Sequence, residues 1–167
     1  MHKPIENIRQ EWEDFKVVRN HVKSDFQQWP ALKEVLSKLV DRLNKEIGLQ
    51  AELIIQDKFP KVRDLRLSLH HIFPLGDELV AYNNSATLVF EQRLSGQIFI
   101  WYLFPQKEHF SRLEGLQAKP AKQFRIDQLL QDENLILFQI ETFLSELKGW
   151  MKRVLPESAE EKTALEF

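Results

Sequence analysis

The apolar positions of this chain keep one period up to residue 47 and change to another after residue 50. Ile5, Ile8, Trp12, Phe15, Val22 and Phe26 recur at spacings of three and four, the mark of an apolar stripe on a helix. Arg19 interrupts the stripe, and Glu6, Glu11, Glu13, Lys16 and Lys23 occupy much of the remaining surface. Trp29-Pro30 breaks the pattern, because a residue before proline is pushed out of helical geometry. A second helix restarts at Pro30, runs through Leu32, Val35, Leu36, Leu39, Val40, Leu43 and Ile47, and stops at Gly48, a residue suited to the left-handed position after a helix. Its stripe is wide and aliphatic, as for a core helix.

From Gln50 the period becomes two. Ala51–Gln56 reads as a first strand, turned by Phe59-Pro60-Lys61. Val62–Ile72 alternates, with Leu65, Leu67 and Leu69 on one side and Asp64, Arg66, Ser68 and His70 on the other. Leu79–Tyr82 reads as a short third strand, and Asn83-Asn84 as a tight hairpin turn. Ala86–Arg93 and Gln97–Phe104 follow, joined by Ser95-Gly96. The last of these reads Q-I-F-I-W-Y-L-F and is apolar on both sides: Ile98, Ile100, Tyr102 and Phe104 face one way, Phe99, Trp101 and Leu103 the other. Such a strand calls for cover on both faces, since burying one Phe or Trp is worth roughly 2–3 kcal/mol. The N-terminal helices or a second copy of the chain could supply the second cover.

Gln106 to Arg125 carries no clear period and reads as a long irregular connection, functional or mobile. A last helix begins near Asp132, a natural cap, and presents Ile136, Ile140, Phe143, Leu144, Leu147, Trp150, Met151 and Val154 before Pro156. Glu157 to Phe167 is acidic, poor in apolar residues, and reads as a disordered tail. The expected architecture is α+β: two N-terminal helices, a five-stranded antiparallel meander, and a long C-terminal helix packed on the sheet. Residues 1–156 form one domain with a helical arm over about 1–29, and 157–167 form the tail.

Composition narrows the function without naming it. The 167 residues carry 23 bases against 25 acids, so no global field draws the chain to nucleic acid or a membrane surface. With no cysteine, thiol nucleophiles, thiolate metal sites and disulfides are excluded. No apolar signal core opens the chain and no segment has the roughly 18 apolar residues of a membrane span, so a cytoplasmic location is the expectation.

Chemistry-bearing motifs are sparse. His70 and His71 point to opposite faces of a strand and cannot share a metal. The five glycines form neither a phosphate loop nor a dinucleotide fingerprint, and Leu94-Ser95-Gly96 is better explained as a hairpin turn than as a nucleophile elbow. No metal, cofactor or catalytic residue is indicated. Arg66, Ser68 and His70, with Tyr82, are the natural polar candidates for a ligand, although a solvated sheet face is the plainer account of the first three. Lys107, Arg112, Lys119, Lys122 and Arg125, interleaved with Phe110 and Phe124, could hold a single strand of nucleic acid, but Glu108 and Glu114 dilute the charge. The acidic tail ending in Phe167 could dock on another protein, against the plainer account of a frayed end.

A non-catalytic protein-interaction module that self-associates therefore leads. Its partner-binding candidates are Trp12, Phe15, Phe26 and Trp29 of the first helix, since tryptophan is enriched at interface hot spots, and Phe99 and Trp101 of the aromatic strand. A small-molecule-binding or enzymatic fold, with a pocket between sheet and C-terminal helix, is the alternative. Nucleic-acid binding through the connection after the sheet is the weaker one.

Overall fold

The computed structural model describes residues 3–70, 72, 85–105 and 116–165. Helices α1 (Lys3–Gln27) and α2 (Trp29–Ile47) precede strands β1 (Ala51–Lys58), β2 (Val62–His70), β3 (Ser85–Gln92), β4 (Ile98–Pro105) and β5 (Leu116–Phe124), then α3 (Ile126–Gln131) and α4 (Glu133–Leu165). The sheet runs in chain order, β1-β2-β3-β4-β5, and every neighbouring pair is antiparallel. This is the expected α+β meander between helices.

Its fifth strand is not the expected one. Leu79–Tyr82 and the Asn83-Asn84 turn lie outside the described residues. Leu116–Phe124 forms β5 in the segment read as an irregular connection. Pro120 and the lack of alternation hide this strand. It lies at the sheet's edge, where a missing backbone donor is tolerated, and a register shift opposite Ile100 and Trp101 disrupts the pairing locally.

The register fixes the two faces. Leu65, Leu67, Ala86, Leu88, Phe90, Ile98, Ile100, Tyr102 and Phe104 fall on one side and are all buried. Against them pack Trp29, Leu32, Leu36, Leu39 and Val40 of α2, Ile126 and Leu129 of α3, and Ile136, Ile140, Phe143, Leu147 and Trp150 of α4, in one continuous core. Phe104 stacks between Phe143 and Trp150, with ring centroids 6.0 and 5.9 Å away. The N-terminal helices therefore do not divide the labour as expected: α2 shares the face used by α4.

Local chemistry sets the ends of the elements. Gly48 takes φ 65° and donates its N–H to the Asn44 carbonyl, closing α2 in the left-handed conformation that glycine adopts without strain. The Asn44 side chain then clamps both backbone groups of Ala51 at 2.9 Å, tying the helix end to the start of β1. Asp132 caps α4 as expected, its Oδ1 accepting the Asn134 N–H at 3.0 Å. Beyond Pro156 the expected disordered tail is helical: α4 continues to Leu165. The run Glu157 to Leu165 is rich in Ala, Glu, Lys and Leu, the strongest helix formers.

Helix α1 belongs to no layer. At 1.5 Å per residue its 25 residues span about 37 Å. Between Lys3 and Ser24 only Lys16 and Val22 are even half-buried. Burial begins at its last turn, with Asp25 and Phe26.

Candidate functional site

The base of α1 is where the arm meets the body, and the side chains of Arg63 and Gln92 hold it. Arg63 of β2 donates from Nη1 to the Phe26 carbonyl at 3.3 Å and to Gln92 Oε1 at 3.2 Å, while its Nε lies 3.1 Å from Asp57 Oδ1. Its guanidinium plane also lies over the rings of Phe59 and Trp29, 4.6 and 5.5 Å from their centroids. Gln92 is buried and donates from Nε2 to the carbonyls of Asp25 and Gly96, both at 3.1 Å. At Gly96, with φ 82°, a Cβ would stand 2.9 Å from Asp25 Cβ, so only glycine lets the β3–β4 turn and the helix approach this closely. Burial pushes the Asp25 carboxyl above its usual range; Asp127 adds to the rise, and Arg125 and His21 oppose it.

Above this elbow the arm is bare. Ile5, Ile8, Trp12, Phe15 and Val18 are 50–69 % exposed. Trp12 and Phe15 stack on each other at 5.5 Å, and the Arg19 guanidinium lies over both rings, 5.8 and 5.7 Å away. The two aromatics named as partner-binding candidates are thus brought together in solvent. Trp29 is not available in the same way: at 1 % exposure it belongs to the core, because the stripe turns into the body at the elbow. Phe26 is half-buried, edge-on against Phe59 at 5.0 Å.

The second set of candidates lies on the outer face of the sheet. Phe99, Trp101 and Leu103 of β4 are half-buried there, outside the core that the helices share with the opposite face. Full cover on both sides of this strand is therefore not what the described residues provide. In its place, Val89 fills the space beside Trp101 across the β3–β4 ladder, and the Arg93 guanidinium lies over Phe99 and Trp101, 4.1 and 5.3 Å from the ring centroids. A guanidinium on an aromatic face is attracted by the ring quadrupole and shields the ring from water. The buried Trp101 Nε1 has no hydrogen-bond partner among the described residues.

The polar candidates of β2 share the outer face, as the alternation requires, but they do not converge. Arg66 makes a two-pronged pair with the buried Asp64 at 3.1 and 3.3 Å. Ser68 hydrogen-bonds Thr87 at 2.9 Å, and His70 meets Glu52 at 2.6 Å on exposed surface. Arg66 is satisfied within β2, Ser68 by β3 and His70 by β1, and Tyr82 lies outside the described residues. A groove of about 670 Å³ opens on this face beside the elbow, lined by Phe59, Lys61, Arg63, Arg66, Arg93 and Phe99 among others. Asp57, Asp64 and Glu91 already pair with its three arginines. A smaller groove of about 460 Å³ separates α2 from α4, near Leu43, Ile47 and Leu144. Neither groove is the expected pocket between sheet and C-terminal helix, where Phe143, Leu147 and Trp150 fill the core.

The described part of the basic connection, from Leu116, is a strand and not a loop. Lys119 and Lys122 lie on β5 and Arg125 precedes α3, while Lys107, Phe110 and Arg112 fall outside the described residues. Among the described residues no helix is long and apolar enough to cross a membrane, and no three acidic or histidine side chains gather as a metal site.

The elbow residues Arg63, Gln92, Asp25 and Gly96 were not singled out from the sequence. The one signal was Gly96 in a two-residue turn, which carries no information about the helix it meets. Comparison with protein-family models, with curated proteins and with solved structures finds no match to this chain.

Proposed function

We propose that this protein is a non-catalytic interaction module that self-associates through α1. The single observation that carries the reading is the exposed stripe Ile5, Ile8, Trp12, Phe15 on a helix that, among the described residues, is joined to the body at its base alone. A helix owes most of its stability to packing of its apolar face, and among the described residues nothing covers this one. Trp12 and Phe15, half exposed, and the aliphatic side chains beside them put on the order of 500 Å² of apolar surface on each arm. Two arms together reach about 1,000 Å², the size at which a specific interface becomes credible. The aromatic outer face of β4 is a secondary contact surface in this reading, already roofed by Arg93.

The small-molecule reading draws support from the groove beside the elbow. It is weaker, because the arginines that would recognise an anion are each engaged by a carboxylate of the chain itself.

Sedimentation of the full chain tests the proposal. The parent protein is expected to sediment as a dimer at micromolar concentration, and Trp12→Glu with Phe15→Glu as a monomer with unchanged helix content in the body. A parent protein that stays monomeric throughout this range would defeat it.

A further inference from the structure

Resting on self-association through α1, we infer that the two arms pair antiparallel, as a two-stranded coil centred between residues 13 and 14. The stripe of α1 continues without a slip from Ile5 through Ile8, Trp12, Phe15, Arg19 and Val22 to Phe26, alternating spacings of three and four. Such a narrow seam suits one facing helix, whereas a helix lying on a sheet shows a broader face. The same chain supplies the contrast: α2 carries Leu32, Val35, Leu36, Leu39 and Val40, a broad face that the sheet buries. The occupant of the α1 seam is therefore a helix with the same repeat, that of a second copy.

Three observations give the direction. The first is steric. At its base the seam already looks at its own body: Phe26 packs on Phe59, and Val18, Val22 and Asp25 face Ser95, Gln97 and Arg125 across a cleft of about 240 Å³. In a parallel pair both bodies would crowd the seam at the same end of the coil; antiparallel arms place them at opposite ends.

The second is the seam's one charged residue. A parallel, in-register pair would set Arg19 against Arg19 in one layer. The antiparallel register sets it against Ile8 of the second copy, where its stem can pack and its head can reach water.

The third is charge along the arm. Residues 3–14 hold Lys3 and Arg9 against Glu6, Glu11, Glu13 and Asp14, a net of −2. Residues 15–27 hold Lys16, Arg19 and Lys23 against Asp25, a net of +2. Antiparallel pairing lays the acidic half on the basic half and opposes the helix dipoles. Parallel pairing offers Glu11 to Lys16, but Lys16 is already bridged to Glu13 at 2.9 Å.

The absence of cysteine makes the test clean, since one introduced thiol is the only one. Spin labels are placed on full-length Gln10→Cys and, separately, Ser24→Cys, both on the side of α1 away from the seam, and the distance between copies is measured by pulsed electron resonance. Antiparallel arms offset the two Gln10 labels by about 10 Å along the coil and the two Ser24 labels by about 30 Å. The Ser24 distance should exceed the Gln10 distance by more than about 10 Å. Equal distances at the two positions would overturn the antiparallel arrangement and leave self-association standing. No intermolecular distance at either position, with a monomeric mass, would remove self-association and the arrangement with it.

Discussion

Arg63 shows how much of this architecture rests on single side chains. One guanidinium joins Asp57, the Phe26 carbonyl and Gln92 while lying over two aromatic rings. A lysine offers one compact charge and no plane to stack, so Arg63→Lys should lose most of what Arg63→Ala loses, about 2 kcal/mol, read as a lower urea midpoint. Gln92→Leu leaves the carbonyls of Asp25 and Gly96 without their donor, and should cost about 2–3 kcal/mol by the same measurement. Asp25 adds a pH dependence of known sign. Its carboxyl, raised above the ordinary 3.8 chiefly by burial, binds its proton more tightly folded than unfolded. The stability this contributes is complete below pH 3.8 and is lost as pH rises through the folded value. Asp25→Asn should therefore flatten the decline in unfolding temperature across the weakly acidic range; an unchanged slope would contradict the assignment. None of these residues was legible beforehand. Arg63 and Gln92 meet α1 across 37 and 67 positions of sequence, and no periodicity encodes a contact of that range.

Elements were legible to the degree that periodicity encodes them. The stripe of α2, the alternation of β2 and β3 and the cap at Asp132 all appear where the pattern places them. β5 was missed because its edge position, a bulge and Pro120 erase the period-two signal. The residues past Pro156 were misjudged because composition speaks of solubility, whereas helix propensity there is high. For α1 the stripe was legible and its fate was not: the same three-and-four spacing serves a core or an interface, and only exposure separates them. In α1 the width of the stripe matters more than its hydrophobicity, and Arg19 is its one charged layer. Arg19→Leu should tighten association about tenfold or more, since burying a leucine in that layer is worth roughly 1.5–3 kcal/mol. Sedimentation equilibrium reads the change, and an unaltered mass distribution would mean the seam is not the interface. In α4, Phe143→Ala should cost about 3–5 kcal/mol, because Phe143 is fully buried against Tyr102 and Phe104.

At the scale of the whole molecule, the helix-on-sheet body buries most of one face of the sheet and leaves a helix of about 37 Å standing outside it. The described helices and sheet of the body share one core; the arm lies outside it. An isolated helix bearing bare Trp, Phe and Ile would fray in water, so persistence of α1 depends on what covers it. Amide hydrogen exchange, followed as the protein is diluted, addresses that dependence directly. If the arms cover each other, protection of residues 5–22 should rise with protein concentration while that of α2 stays constant. Equal protection of α1 at every concentration, or none at any, would contradict the account.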